Sequence, residues 1–259
     1  MNAIHNPDFE GRSAIVTGAG SGIGRAVALA LAEQGAKVLA VDIDEAAAKD
    51  TAALSTGIVL PFQADVSESS DVRDYAAGAA SSHGLPTLFF NNAGVEGVHR
   101  SIIDTTEEEW NRTVGVNLHG VFWGLKHVLP LMIEAGGGSV VNTGSILSLK
   151  AAPDRSDYVT TKHAVLGLTR AAASEVAKDG IKVNCICPGP VDTPLMARSE
   201  TLVNPDDPSF ERSRFEAGTP LGRYASTEEI AELVLFLLRP DVAYLTGAAV
   251  NIDGGIMAV

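Results

Sequence analysis

The chain has 259 residues and a mass of 26.9 kDa, is 46% hydrophobic and 20% charged, and carries a formal net charge of −13 with a pI near 4.8. A chain of that length and apolar content can bury a large core as one domain, which excludes disorder as the main state. With 32 acidic against 19 basic side chains and no Lys/Arg cluster, it should repel phosphate backbones and anionic lipid, so neither nucleic acid nor a membrane surface is an expected partner.

Taken in chain order, the opening MNAIHNPDFEGR lacks the basic-then-apolar order of a secretory leader. Short aliphatic runs then alternate with alanine-rich segments, the pattern of strand, helix, strand repetition. Strands are expected at 14–17, 37–41, 58–63, 87–90, 139–143, 182–186 and 249–252, and helices at 22–34, 45–54, 70–82, 107–134, 158–178 and 227–238. Thr106 followed by Glu109 reads as a capping box at the start of the fourth helix. VLAV, TLFFN and SVVNT are almost continuously apolar, as strands buried on both faces must be. The fold class predicted is α/β: a single domain, 1–259, with a doubly wound parallel seven-stranded sheet and helices on both faces. No apolar run is long enough to span a bilayer, which takes about 18 residues or more.

Two signals along the way concern metals and redox chemistry. His119, Trp123 and His127 recur at helical spacing, but two histidines two turns apart are too few ligands for a metal site, so no metal is expected. Cys185 and Cys187 are too close together for an ordinary disulfide and read as small core residues, in keeping with a reducing, cytoplasmic setting. The stretch 188–225, rich in proline, reads as a long irregular segment, of a length that in a compact domain usually serves function.

The first strand runs directly into Thr17-Gly18-Ala19-Gly20-Ser21-Gly22-Ile23-Gly24 and then into a helix. In that context Gly18 permits a tight turn, Gly22 lets backbone approach a ligand and Gly24 allows helix and sheet to touch, while the helix start offers free N–H groups to a pyrophosphate. Asp42 ends the second strand 18 residues after Gly24, placed to bond both ribose hydroxyls of an adenosine and to repel a 2′-phosphate. NAD is therefore expected rather than NADP. Ser145 follows the fifth strand, and Tyr158 and Lys162 stand one helical turn apart on one face. A nearby ammonium is what a tyrosine needs to act as a base, because its free pKa is near 10.

These motifs together resemble the short-chain dehydrogenase/reductase family over residues 13–255. The matches are the TGAGSGIG turn, Asn91-Asn92-Ala93-Gly94, Asn117, Ser145, the YxxxK pair Tyr158 and Lys162, Pro188-Gly189 and Asp253-Gly254-Gly255. The resemblance implies a Rossmann fold and an oxidoreductase. It makes Tyr158 the general acid/base and Ser145 the group that holds the substrate oxygen. Lys162 would hold the nicotinamide ribose and lower the Tyr158 pKa, and Asn117 would hold a water in the proton relay. It extends the cofactor set from Gly18, Ser21, Gly22, Ile23, Gly24 and Asp42 to Ile43, Asp65 and Val66 near adenine. Asn92, Ala93, Gly94, Pro188, Gly189, Val191 and Thr193 complete the set toward ribose and nicotinamide. Gly144 and Thr161 depart from the commoner pattern beside Ser145 and Lys162 without removing a reacting group.

Ligands of open α/β sheets bind beyond the carboxyl ends of the strands, so substrate is expected at 95–98, 146–153 and the 188–225 lid. Ile146, Leu147, Leu149, Leu195, Met196, Leu202, Val203, Phe210 and Phe215 are candidates for an apolar pocket wall, and Glu96 for a substrate or lid contact. Within the family the NNAGVEG stretch and Asp42 look most like NAD-dependent dehydrogenases of cyclic alcohols and diketones. The expected substrate is a hydrophobic, alicyclic secondary alcohol or its ketone. A 3-oxoacyl-carrier-protein reductase is the first alternative and a non-catalytic NAD-binding redox sensor the second. Family members are commonly homotetramers, and the apolar tail 256–259 suits burial against a neighbour.

Overall fold

A computed structural model describes residues 9–259; most of the opening stretch read for a leader lies outside them. Among the described residues seven strands are present: β1 Ser13–Thr17, β2 Lys37–Asp42, β3 Ile58–Gln63, β4 Leu88–Asn91, β5 Gly138–Thr143, β6 Ile181–Pro188 and β7 Ala249–Ile252. They form one sheet in the order β3-β2-β1-β4-β5-β6-β7, every pair parallel. The helices are α1 Gly22–Glu33, α2 Glu45–Leu54, α3 Ser69–His83, α4 Glu107–Val114, α5 Gly120–Glu134, α6 Ser156–Val176, α7 Pro194–Val203, α8 Pro208–Ala217 and α9 Thr227–Leu238.

Alternation within buried strands builds two cores. Ala14 and Val16 of β1, with Leu88 and Phe90 of β4, point to the face covered by α1 and α9. Ile15 and Phe89 point to the face covered by α3, α5 and α6. This is the sandwich that a parallel sheet needs, since crossover helices must bury both of its faces. Strand order reverses between β1 and β4, and the crevice beyond their carboxyl ends is where such sheets bind ligands.

Two expectations are corrected. The region 188–225 is not irregular, because it contains α7 and α8. Two of its prolines, Pro194 and Pro208, stand at the first turn of these helices, where a missing N–H costs nothing. Thr193 and Asp207 cap them, accepting from Met196 N at 3.2 Å and Phe210 N at 3.1 Å. The helix expected over 107–134 is interrupted by a π-helical turn, Gly115–His119. Its start is as expected, with the Thr106–Glu109 capping box formed. Cys185 and Cys187 are fully buried on β6.

Candidate active site

The turn after β1 is held by groups far apart in sequence. Gly18 and Gly22 have φ of +64° and +51°, a region that side chains disfavour. A Cβ on Gly24 would lie 2.0 Å from the Gly18 carbonyl oxygen, so only glycine lets α1 sit this close to the turn. Thr51 donates to Ala19 O at 2.8 Å, and Arg25 donates to Thr51 Oγ1 at 3.0 Å and to Gly20 O. Ser21 opens α1 with no side-chain cap, and the first turn carries no acidic residue. That leaves main-chain donors and the positive end of the helix dipole free for an anion.

Asp42 accepts from Gly20 N at 2.8 Å and from Asp44 N at 3.0 Å. Its carboxylate is thus fixed at the rim of the same cavity. Asn92 is laced to β1, its main-chain N and side-chain amide donating to Thr17 Oγ1 at 2.9 Å and Thr17 O at 3.0 Å. Asp65 anchors its own loop through Ser67, and Val66 packs under Gly120.

A cavity of about 1050 Å³ runs from this turn to α7 and α8. Of the expected cofactor residues it is lined by Gly18, Ser21, Gly22, Ile23, Asp42, Ile43, Asp65 and Val66. Asn92, Ala93, Gly94, Tyr158, Lys162, Pro188, Gly189, Val191 and Thr193 line it further along. Gly24 stands behind the wall, as its contact with Gly18 requires. The residues fit a nicotinamide dinucleotide: a glycine cradle that a Cβ would crowd, an uncapped helix start and a carboxylate at the carboxyl end of β2 on the same cavity wall.

Ser145, Tyr158 and Lys162 meet where the cavity crosses the end of β5. The Ser145 hydroxyl accepts from Leu147 N at 3.1 Å and shares the cavity wall with Tyr158. Lys162 Nζ donates to Thr143 O at 2.8 Å and lies 5.5 Å from the Tyr158 ring centroid. Burial pushes the Lys162 ammonium down to about 8, so it is still a cation at neutral pH. Burial pushes the Tyr158 phenol up, Glu96 adds to that, and Arg155 and the Ser145 hydroxyl pull the other way. Gly144 has a steric reason: a Cβ there would meet Cys185 Sγ at 2.7 Å.

Asn117, on the π-helical turn, is fully buried and off the cavity wall. Its side chain clamps Val95 from both sides, accepting from Val95 N at 2.8 Å and donating to Val95 O at 3.0 Å. Asp157 is also fully buried and accepts from Val98 N at 3.0 Å, Thr113 Oγ1 at 2.8 Å and Tyr158 N at 2.7 Å. It thereby pins the loop after β4 and α4 to the start of α6.

At the far end, Ile146, Leu147, Leu195, Met196, Leu202, Val203 and Phe215 line the cavity, and Leu149 and Phe210 do not. Phe210 is five residues from Phe215 on α8, which turns it to the outer face, where it is 59% exposed. Leu149 follows the short turn after Ser145 and is also exposed. Glu96 lines the cavity and is a lid contact, accepting from Ser199 Oγ of α7 at 3.2 Å. Lys150 and Arg198 on the wall fall within the expected segments 146–153 and 188–225, whereas sequence reasoning missed His99, Arg155 and Ile256. Arg155 is joined to Glu96 across the fold, a relation no local pattern announces.

A family model described as enoyl-(acyl carrier protein) reductase matches residues 18–257. Levodione reductase of Leifsonia aquatica is 39% identical, covering 98% of both chains. Cyclohexanol dehydrogenase of Acinetobacter sp. (strain SE19) is also 39% identical, again over 98% of each. A 3-oxoacyl-[acyl-carrier-protein] reductase of Thermotoga maritima is 33% identical over 96% of this chain and 99% of that protein. Among solved structures, a levodione reductase crystal structure superposes with a TM-score of 0.95 at 38% identity, covering 97% of this chain and 99% of the other. A 3-ketoacyl-(acyl-carrier-protein) reductase from Brucella melitensis complexed with NADH gives 0.88 at 32% identity, covering 95% and 98%.

Proposed function

Because the chain belongs to the short-chain dehydrogenase/reductase family, we propose that it interconverts a hydrophobic, alicyclic secondary alcohol and its ketone with NAD. The chain is an alcohol dehydrogenase or ketone reductase that uses a nicotinamide cofactor. The observation that carries the finer reading is the junction of Ser145, Tyr158 and Lys162 on the wall of a cavity that begins at the Asp42 carboxylate. A nicotinamide held along this cavity would supply the hydride acceptor for the alcohol, or the hydride donor for the ketone. The Tyr158 hydroxyl takes up or delivers the proton of the substrate oxygen, and the Ser145 hydroxyl holds that oxygen in place. Lys162 supplies a fixed cation near the phenol and a donor toward the ribose. Asn117 acts one step back, fixing the Val95 main chain beside the cofactor path.

Asp42 supports NAD, since its carboxylate would face a 2′-phosphate with no lysine or arginine within the next few residues to receive it. The apolar far wall supports a ring substrate. The two relatives at 39% identity, named for levodione and cyclohexanol, support the same class. The 3-oxoacyl-carrier-protein reductase reading is favoured by the exposed Lys150 and Arg198 at the cavity mouth, which suit an acidic carrier. Exposed Phe122 and Ile133 on α5 support assembly into a homotetramer through this helix, which light scattering would test. No described helix is long and apolar enough to cross a membrane.

Initial rates of nicotinamide reduction with NAD and NADP, across cyclic alcohols and 3-hydroxyacyl thioesters, separate the readings. Fast NAD-linked oxidation of cyclic alcohols is expected. Turnover of thioesters alone, with NADP, would replace this reading by the carrier-protein one.

A further inference from the structure

Immediately before α6, the chain turns through Asp154, whose φ of +58° is the only positive value at a non-glycine among the described residues. This turn, fastened by Arg100 N donating to Asp154 O at 2.9 Å, swings Arg155 back over the helix it precedes. The Arg155 guanidinium carbon stands 4.7 Å from the Tyr158 ring centroid, nearer than the Lys162 ammonium. Arg155 is 9% exposed and its guanidinium pairs with Glu96, itself almost wholly buried. The same Glu96 oxygen accepts from Ser199 of α7, and His99 Nε2 lies 3.5 Å from it. A buried pair of this kind is costly to desolvate and is not well explained as a device for stability alone.

We propose that the Arg155–Glu96 pair is a positioning element for Tyr158, in which Arg155 holds the phenol ring and favours its ionised form while Glu96 fixes Arg155 and links that setting to α7. The inference rests on the reading of Tyr158 as the acid/base group. A cation over a phenol face stabilises the phenolate more than the neutral ring, and a carboxylate one step further away opposes it. The directions found for Tyr158 agree, with Arg155 pulling its pKa down and Glu96 pushing it up. Other charged or titratable groups are Lys162 and Asp157 from α6, with Cys185 and Cys187 of β6 beside Lys162, and, along the same cavity wall, His99 from the loop after β4, Lys150 and Asp154 from the segment before α6, Arg198 from α7 and Arg214 from α8. Asp157 is consumed by its three donors, and α7 reaches Glu96 through the neutral Ser199.

The opposite signs make the test decisive. The pH dependence of kcat/KM for alcohol oxidation at saturating NAD should show a limb that rises with pH as Tyr158 loses its proton. Arg155→Met should move that limb to higher pH by about one unit, an effect of the size expected for a unit charge at this range, with about a tenfold loss of rate below it. Glu96→Gln should move the limb to lower pH, and the double variant should fall between the two. Arg155→Lys should restore the limb toward its original position, because charge rather than shape sets it. A pair that served packing alone would lower rates in all variants without moving the limb, and that result, or shifts of the same sign in both single variants, would overturn the proposal. If Arg155→Met does not fold, Glu96→Gln and Arg155→Lys still decide the sign. Undiminished turnover in Tyr158→Phe would instead overturn the underlying reading of the site.

Discussion

At the end of the cavity that carries Gly18, Gly22 and Asp42, the wall is main chain held by main chain and by short side chains such as Thr17 and Thr51. At the end formed by α7 and α8, it is aliphatic and aromatic side chains on two helices tethered by polar pairs. Arg212 reaches Asp192 at 3.1 Å and stacks on Tyr224, and the Tyr224 hydroxyl donates to the buried Glu200 at 2.8 Å. The contrast explains how one scaffold keeps a cofactor and changes its substrate. A ligand bound by backbone needs glycines and fixed hydrogen bonds, so few substitutions are tolerated. A pocket lined by side chains can be reshaped one residue at a time without disturbing the sheet.

Three substitutions probe that contrast, beginning with the largest effect. Gly24→Ala places a methyl 2.0 Å from the Gly18 carbonyl and should destabilise the fold by about 3 kcal/mol while abolishing NAD binding. A melting curve with and without NAD would show it, and an unchanged ligand-induced rise would break the claim that this wall is rigid. Asp42→Asn keeps an acceptor for Gly20 N but removes the charge. The ratio of kcat/KM for NADP over NAD should then rise roughly tenfold or more, with little change in melting. An unaltered ratio would mean that Asp42 closes the turn and does not select the cofactor. Phe215→Ala, at the α8 end, should leave cofactor affinity untouched and change the relative rates on small and large rings by roughly three- to tenfold. Equal losses on every ring would place Phe215 in the fold and not in selectivity.

Much of this was legible in the sequence because burial on both faces forces strands to be apolar. All seven strands fall within two residues of their expected ends, and α2 and α9 match at both. The reacting groups were legible for a different reason. The turn after β1 and the Tyr158–Lys162 pair are local patterns whose spacing is set by turn and helix geometry. What stayed hidden has its cause in tertiary contact. The proline-rich stretch 188–225 reads as irregular until Thr193 and Asp207 are seen as caps and Pro194 and Pro208 as first-turn residues. The π-helical turn carries no composition signal, and its purpose lies in the Asn117 clamp on Val95. Glu96, Arg155 and Ser199 come together from three separate stretches, so only the folded chain joins them.

Proton transfer through Tyr158 coupled to hydride transfer is addressed most directly by a single-turnover experiment. NADH deuterated at the transferable position would be mixed with an excess of enzyme and a cyclic ketone, using the native chain and Tyr158→Phe. The native enzyme should deliver deuterium to the carbinol carbon within a turnover. The variant should bind the nucleotide with similar affinity yet transfer at least a hundredfold more slowly, the low end of what a positioned acid or base contributes. Transfer at an undiminished rate in the variant would contradict the assignment of Tyr158.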